Sequence, residues 1–317
     1  MRKYLSILLS LSIISFCLSA CSSQPAAELP GEAEEVYCFE DDLGESFSLH
    51  SPKRVAVLIG SFADIWCLAG GRESIVAAAD DSWTSFHLDL PKDTVNTGTV
   101  KEPNLEHILS ANPDVIIGSC NTASNVGLKD VMRQAGIPFA CFDVQNFGDY
   151  LRVLKICTEL TGHQENYEMY GSSQEKTIED TLQRADGSSP RILCLRATGA
   201  SCKIKGSRDF LLGEMLSDLG CVNIADSETS LLENLSLETV MKEDPEYIFC
   251  VLQGSDDTAA RETLEKNLIS NPAWGSLSAV KEGHFYLLEQ SLYNLKPNAR
   301  WGEAYEKLAD ILYPNAG

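Results

Sequence analysis

Short, continuous apolar runs alternate with amphipathic stretches along most of this chain. Val55-Ala56-Val57-Leu58-Ile59 is one such run, and it reads as a strand covered on both faces. Residues 75–79, 115–117 and 139–142 are further strand candidates. Residues 62–69 and 126–135 read as helices, and Gly136-Ile137-Pro138 stops the second of them. Alternation of this kind predicts a mainly parallel sheet with helices on its faces. Ahead of it, Val36-Tyr37-Cys38-Phe39 and Ser46-Phe47-Ser48-Leu49 flank Asp41-Asp42-Leu43-Gly44, which predicts a β-hairpin.

The alternation then stops. Residues 147–184 hold no strand candidate. Residues 150–160 form an amphipathic helix broken by Gly162, and 164–184 read as a long, mostly exposed helix weakened at Gly171-Ser172-Ser173. Strand candidates resume at 191–195, 222–225, 247–252 and 285–288, with helices at 210–219 and 301–312. The expected fold class is α/β: two lobes with mainly parallel central sheets joined by a single long helix. The expected boundaries are 36–146 for the first lobe with its leading hairpin, 147–187 for the helical segment and 188–317 for the second lobe.

One stretch occurs twice. Leu105-Glu106-His107-Ile108-Leu109-Ser110-Ala111-Asn112-Pro113-Asp114-Val115-Ile116-Ile117 is matched 132 positions later by Leu237-Glu238-Thr239-Val240-Met241-Lys242-Glu243-Asp244-Pro245-Glu246-Tyr247-Ile248-Phe249. Each copy reads as a short helix, a Pro turn and a buried strand. Asn104 and Ser236 are N-cap residues, so Glu106 and Glu238 fall in first helical turns, where an acid also complements the helix dipole.

Composition narrows the function. The net charge of −21 argues against nucleic acid and anionic lipid surfaces as partners. Arg2 and Lys3 precede an apolar run diluted with Ser, too short for a comfortable span, and Leu18-Ser19-Ala20-Cys21 follows. This predicts a signal peptide over 1–20. A Cys directly after small residues resembles the bacterial lipobox, which implies lipidation of Cys21 as the mature first residue and a protein held on the extracytoplasmic face of the cell membrane; an ordinary signal peptide with a chance Cys is the alternative. Residues 21–35, rich in Ser, Pro, Ala and Glu, read as a flexible tether. Of the 11 Cys, those beyond Cys21 form no CxxC pair and no Cys/His cluster, and most sit in apolar contexts, so they read as small buried hydrophobes. Free thiols on an exported protein suggest surroundings where oxidation is weak.

The common nucleotide, hydrolase and zincin motifs are absent, and the five His are scattered. No catalytic residue, metal site or cofactor is assigned. In open parallel sheets ligands bind beyond the C-terminal strand ends. The loops there mix small polar and aromatic residues, which nominates Ser61, Trp83, Asn121, Arg196, Arg208 and Tyr293 as ligand-binding. Arg196, Lys203, Lys205 and Arg208 cluster in one stretch of an acidic chain. They read either as a solvated loop or as an anion site for carboxylate, catecholate or phosphate groups. A small-molecule binder and an anchored enzyme acting on a small metabolite both remain open, and the missing catalytic signatures weigh against the enzyme.

Several short segments in fixed order carry a resemblance: Asp42-Leu43-Gly44, Pro52-Lys53-Arg54-Val55, Asn104-Leu105-Glu106, Asn112-Pro113-Asp114-Val115-Ile116, Gly206-Ser207, Leu219-Gly220-Cys221-Val222-Asn223-Ile224, Asn271-Pro272-Ala273-Trp274 and Pro297-Asn298-Ala299-Arg300-Trp301. Together they resemble the substrate-binding proteins of ABC importers for iron–siderophore complexes, haem and vitamin B12. The resemblance covers nearly all of the mature chain. It implies the class III, helical-backbone form of periplasmic binding protein, with limited closure on ligand. It implies that Glu106 and Glu238 match a pair of glutamates that dock on arginines of a permease dimer, which works with cytoplasmic ATPases. The expected ligand is an iron(III) chelate, with haem or a corrinoid such as cobalamin as alternatives, and the expected state is a monomer. Haem would want a Tyr or His ligand, for which Tyr293 and His87 are available. Zinc and manganese binders of similar architecture use several cleft His, which this chain does not offer.

Overall fold

The computed structural model describes residues 36–208, 210–254 and 257–314. The expected signal peptide over 1–20, Cys21 and the expected tether over 21–35 lie outside the described residues. Strands β1 (Tyr37–Glu40) and β2 (Ser46–Leu49) form the leading hairpin. A five-stranded sheet follows from β3 (Val55–Val57), β4 (Ile75–Ala78), β5 (Val95–Asn96), β8 (Val115–Ser119) and β9 (Phe139–Phe142), in the order β5-β4-β3-β8-β9 and parallel throughout. A two-rung ladder of β6 (Gly98–Thr99) and β7 (Glu102–Pro103) lies outside it. The second sheet comprises β10 (Arg191–Thr198), β11 (Cys202–Lys205), β12 (Val222–Asn223), β13 (Tyr247–Gln253) and β14 (Phe285–Leu288), in the order β11-β10-β13-β14 with β12 also on β10. Only its β11 runs antiparallel. Every residue of β3, β8 and β9 is buried, as apolar runs covered on both faces should be.

The repeat is structural as well as sequential. Its helices are Leu105–Ser110 and Leu237–Glu243, with Asn104 and Ser236 accepting bonds from the backbones of His107 and Thr239. Asn112 and Asp244 both turn left-handed, at φ 46° and 40°, immediately before proline. The ring of the next residue disfavours the right-handed helical region there, and Asn and Asp tolerate the left-handed one. The acids that follow act alike. Asp114 accepts from the backbones of Lys53 and Arg54 at 2.9 Å, and Glu246 accepts from that of Arg191 at 3.0 Å. Each thereby fixes the start of its sheet's neighbouring strand, β3 or β10.

Between the sheets, helix Phe147–Thr161 starts on a capping box of Asn146 and Asp149 and ends at Gly162, φ 77°. The helical run that follows is continuous from Glu165 to Leu182, but its middle, Glu168–Ser172, is π-helical at the point where Gly171 and Ser172 weaken the helix. Its start is tied to the first half by Asn166 donating to the Leu68 carbonyl at 2.9 Å. Further along, Gln174 accepts from Gly302 N at 3.0 Å. One apolar cluster is shared by both halves. Phe62, Trp66 and Tyr150 of the first join Leu212, Met215, Phe249 and Tyr305 of the second, with Trp301 edge-on to Phe147 at 5.7 Å. Just before Trp301 the chain touches the first half directly, where Asn298 donates to the Ser61 carbonyl and to Asp64 at 3.0 and 2.7 Å.

Two local expectations fail. Residues 222–225 are not one strand, because Asn223 caps a short helix, Ile224–Ser227. The segment Cys202–Lys205 is a strand rather than a charged loop. Its alternation of buried Cys202 and Ile204 with Lys203 and Lys205 was obscured by the charge. All nine cysteines from Cys38 onward are free, and burial pushes the thiols of Cys141, Cys157 and Cys221 up to about 12, which leaves them inert.

Candidate functional site

The second sheet presents an unusual pair of side chains. The antiparallel register of β10 and β11 sets Arg196 directly opposite Lys203. Like charges in facing positions repel, and among the described residues neither is in an ion pair. Arg208 completes the group from the turn after β11. That turn is held by Ser207 N donating to Asp226 Oδ1 at 2.9 Å. It packs so close to the helix Leu211–Asp218 that a Cβ at Gly213 would strike the Gly206 carbonyl. Lys205 is differently engaged, with its ammonium 5.8 Å from the centre of the Phe210 ring.

These groups line a cavity of about 660 Å³, with Arg196, Lys203, Lys205, Arg208, Asp226 and Leu232 in its wall. Arg208 and Asp226 also line a second cavity of about 640 Å³ that opens between the halves. There Asn146, Phe147 and Gly148 face Ser207, Glu214 and Asp218, with Trp301 and Tyr305 behind. The two cavities adjoin at Arg208 and Asp226, each is of a size that holds a drug-like ligand, and the cleft they form is basic on one side. Lys296 adds a partly buried ammonium in this region. Burial pushes its pKa down, while Asp143 and Asp149 of the first half and Glu214 of the second pull it up.

Of the residues nominated from sequence, Arg196 and Arg208 meet at the cleft. Ser61, Trp83 and Asn121 do not line either cavity. Ser61 is buried in the first turn of helix Gly60–Leu68. Trp83 is half-buried against the apolar core. Asn121 is exposed and donates to Asp143 Oδ1 at 2.5 Å. Tyr293 is corrected: it is 1% exposed and its hydroxyl donates to the Ala304 carbonyl at 3.0 Å, so it is a core residue with no free group for a ligand. Asn146, Phe147 and Asp226 were missed as wall residues, whereas Lys203 belongs to the basic cluster already visible in the sequence. Among the described residues no cluster of three or more His, Cys, Asp or Glu is placed to hold a metal ion.

Glu106 and Glu238 are both exposed, one on each half, at the same position of matching helices. Neither forms an ion pair among the described residues. The residues that anchor their helices are also matched: Ile108 and Val240 are 0% and 1% exposed.

Comparison with known proteins places this geometry. A sequence profile described as periplasmic binding protein matches residues 55–292. A Bacillus subtilis chain provisionally named ABC transporter substrate-binding lipoprotein YhfQ is 25% identical over 312 residues, 93% of each chain. The Fe(3+)-citrate-binding protein YfmC of Bacillus subtilis is 27% identical over 297 residues, 90% of this chain and 89% of its own. Among solved structures, the triscatecholate siderophore-binding protein FeuA of Bacillus subtilis, complexed with ferri-bacillibactin, superposes with a TM-score of 0.68. It is 22% identical, and the match covers 88% of this chain and 99% of FeuA. The fold is the class III, helical-backbone type. The chain belongs to the periplasmic binding protein family, whose members here are binding proteins of transporters rather than enzymes.

Proposed function

We propose that the protein is the lipid-anchored, extracytoplasmic binding component of an ABC importer, that it captures an anionic iron(III) chelate in the cleft between its lobes, and that it delivers the chelate to the permease through Glu106 and Glu238. The observation that carries the ligand class is the facing pair Arg196 and Lys203, joined by Arg208, in a chain of net charge −21. Mutual repulsion at that wall would be relieved by a ligand bearing several negative charges, such as a catecholate or citrate chelate. Two relatives are named for iron chelates, which supports the same class. That the iron arrives already wrapped in its chelator is supported by the names of the relatives, one binding Fe(3+)-citrate and one solved with ferri-bacillibactin. Anchoring rests on Leu18-Ser19-Ala20-Cys21 and on the lipoprotein name of one relative.

A corrinoid or haem is the second reading. Phe147, Trp301 and Tyr305 behind the inter-lobe cavity favour a macrocycle, but Trp301 and Tyr305 are 1% and 4% exposed and offer little ring surface. Burial of Tyr293 also removes it as a haem ligand.

Arg196→Ala tests the ligand class. Losing a charged hydrogen bond costs about 1.5–3 kcal/mol, so affinity for ferric tris-catecholate or ferric citrate, whichever binds the wild type more tightly, should fall roughly 10- to 150-fold. Unchanged affinity in a fluorescence-quenching titration removes this wall from the site.

A further inference from the structure

The two matched helices expose more than a carboxylate. Leu109 and Met241 are 39% and 41% exposed, and they occupy equivalent positions of the repeat. Among the large apolar side chains left exposed in the described residues, they alone fall on matching positions. Each lies three residues after its glutamate, so on a helix it stands on the same face as that glutamate, one turn along. The inward residues Ile108 and Val240 are buried alike, so both helices are rolled to the same angle. Each half therefore shows the same two-part surface, an unpaired acid and an apolar knob beside it.

We propose that Leu109 and Met241 are apolar anchors of the docking faces, and that the transmembrane partner presents a basic side chain next to an apolar recess twice, once for each lobe. This rests on the docking reading given for Glu106 and Glu238. A surface displayed twice by one chain fits a partner that displays its complement twice, which is what a symmetric dimer does. The charge fits as well, because an acidic chain with unpaired glutamates selects a basic face. The apolar knob supplies what an exposed ion pair alone does not, since water-screened pairs contribute little and a desolvated neighbour both strengthens the pair and adds burial.

The test uses the full chain in the producing bacterium, with the transmembrane subunits of its importer epitope-tagged. The photo-crosslinker p-benzoylphenylalanine is placed at Ser110 or at Lys242, exposed neighbours of the two knobs. Both positions should crosslink to the tagged subunits. The double variant Leu109→Gln, Met241→Gln should lower the yield at both positions at least about tenfold, with an unchanged melting temperature because both side chains are exposed. Glu106→Ala with Glu238→Ala is run beside it. If the glutamate variant loses the crosslink and the apolar variant keeps it, the anchors are refuted and the docking reading stands. If the glutamate variant keeps it, or the wild type never forms it, the docking reading fails and the anchors fail with it.

Discussion

Replacing Glu106 and Glu238 together by Ala is expected to leave chelate affinity unchanged and to reduce uptake at least about 100-fold. Both residues are exposed, on the helices Leu105–Ser110 and Leu237–Glu243 rather than in the cleft wall, so neither folding nor ligand binding depends on them. Their helices keep their Asn104 and Ser236 caps in the variant. In the docked complex each carboxylate would be desolvated beside a cation. Truncating one partner of such a pair costs about 2–5 kcal/mol, much of it from the cation left behind. Either single variant should fall between wild type and double variant, because the contact has two points. Uptake of radiolabelled ferric chelate at matched surface amounts measures this, and wild-type uptake by the double variant would refute the docking assignment.

The second large effect is on stability. The Asp41 side chain has no solvent exposure and collects four donors: Lys129 Nζ at 2.9 Å and the backbones of Leu43, Glu45 and Cys141 at 2.9 to 3.0 Å. It thereby ties the hairpin turn to the edge strand β9. Asp41→Ala leaves the Lys129 ammonium, itself 10% exposed, with only Glu45 at 3.0 Å. Breaking a buried pair on one side costs about 3–5 kcal/mol, which lowers the melting temperature of a chain this size by roughly 10 °C. Adding Lys129→Met should recover part of the loss, because the buried ammonium that had kept only Glu45 as a partner is then gone. Acid dependence carries a second signature. Burial raises the Asp41 pKa, but hydrogen bonds from Cys141, Lys129, Glu45 and Leu43 outweigh it and hold the group below the ordinary Asp value. Its contribution is therefore present above the unfolded-state pKa and lost as pH falls through the lower folded value. The deficit of Asp41→Ala should shrink over that acid range, and a constant deficit would contradict the assignment.

The two-lobed architecture was legible because the repeat encodes it in residues whose roles are local. A cap, an inward Ile or Val, a left-handed Asn or Asp, a Pro and an apolar strand form a pattern that needs no tertiary information. The cleft was less legible, because its residues are defined by which strands pair. Arg196 and Lys203 stand out in the sequence only as members of a basic cluster that could equally be a solvated loop, and the β10–β11 register is what makes them face each other. Tyr293 fails for the opposite reason: its neighbours in sequence suggest a loop, while the closing helix Trp301–Leu312 supplies the Ala304 carbonyl that takes its hydroxyl into the core. In the sequence Leu109 and Met241 are only equivalent positions of the repeat. Their exposure, which sets their role, follows from how each helix is rolled against its sheet.

Calorimetric titration of the full chain with ferric tris-catecholate, ferric citrate, the iron-free chelators, haem and cobalamin, at low and high salt, tests the central claim most directly. An anionic ferric chelate should bind most tightly, more tightly than its iron-free form, and its affinity should weaken as salt screens Arg196, Lys203 and Arg208. Tighter binding of cobalamin or haem, affinity indifferent to salt, or no binding of any ferric chelate would contradict the account.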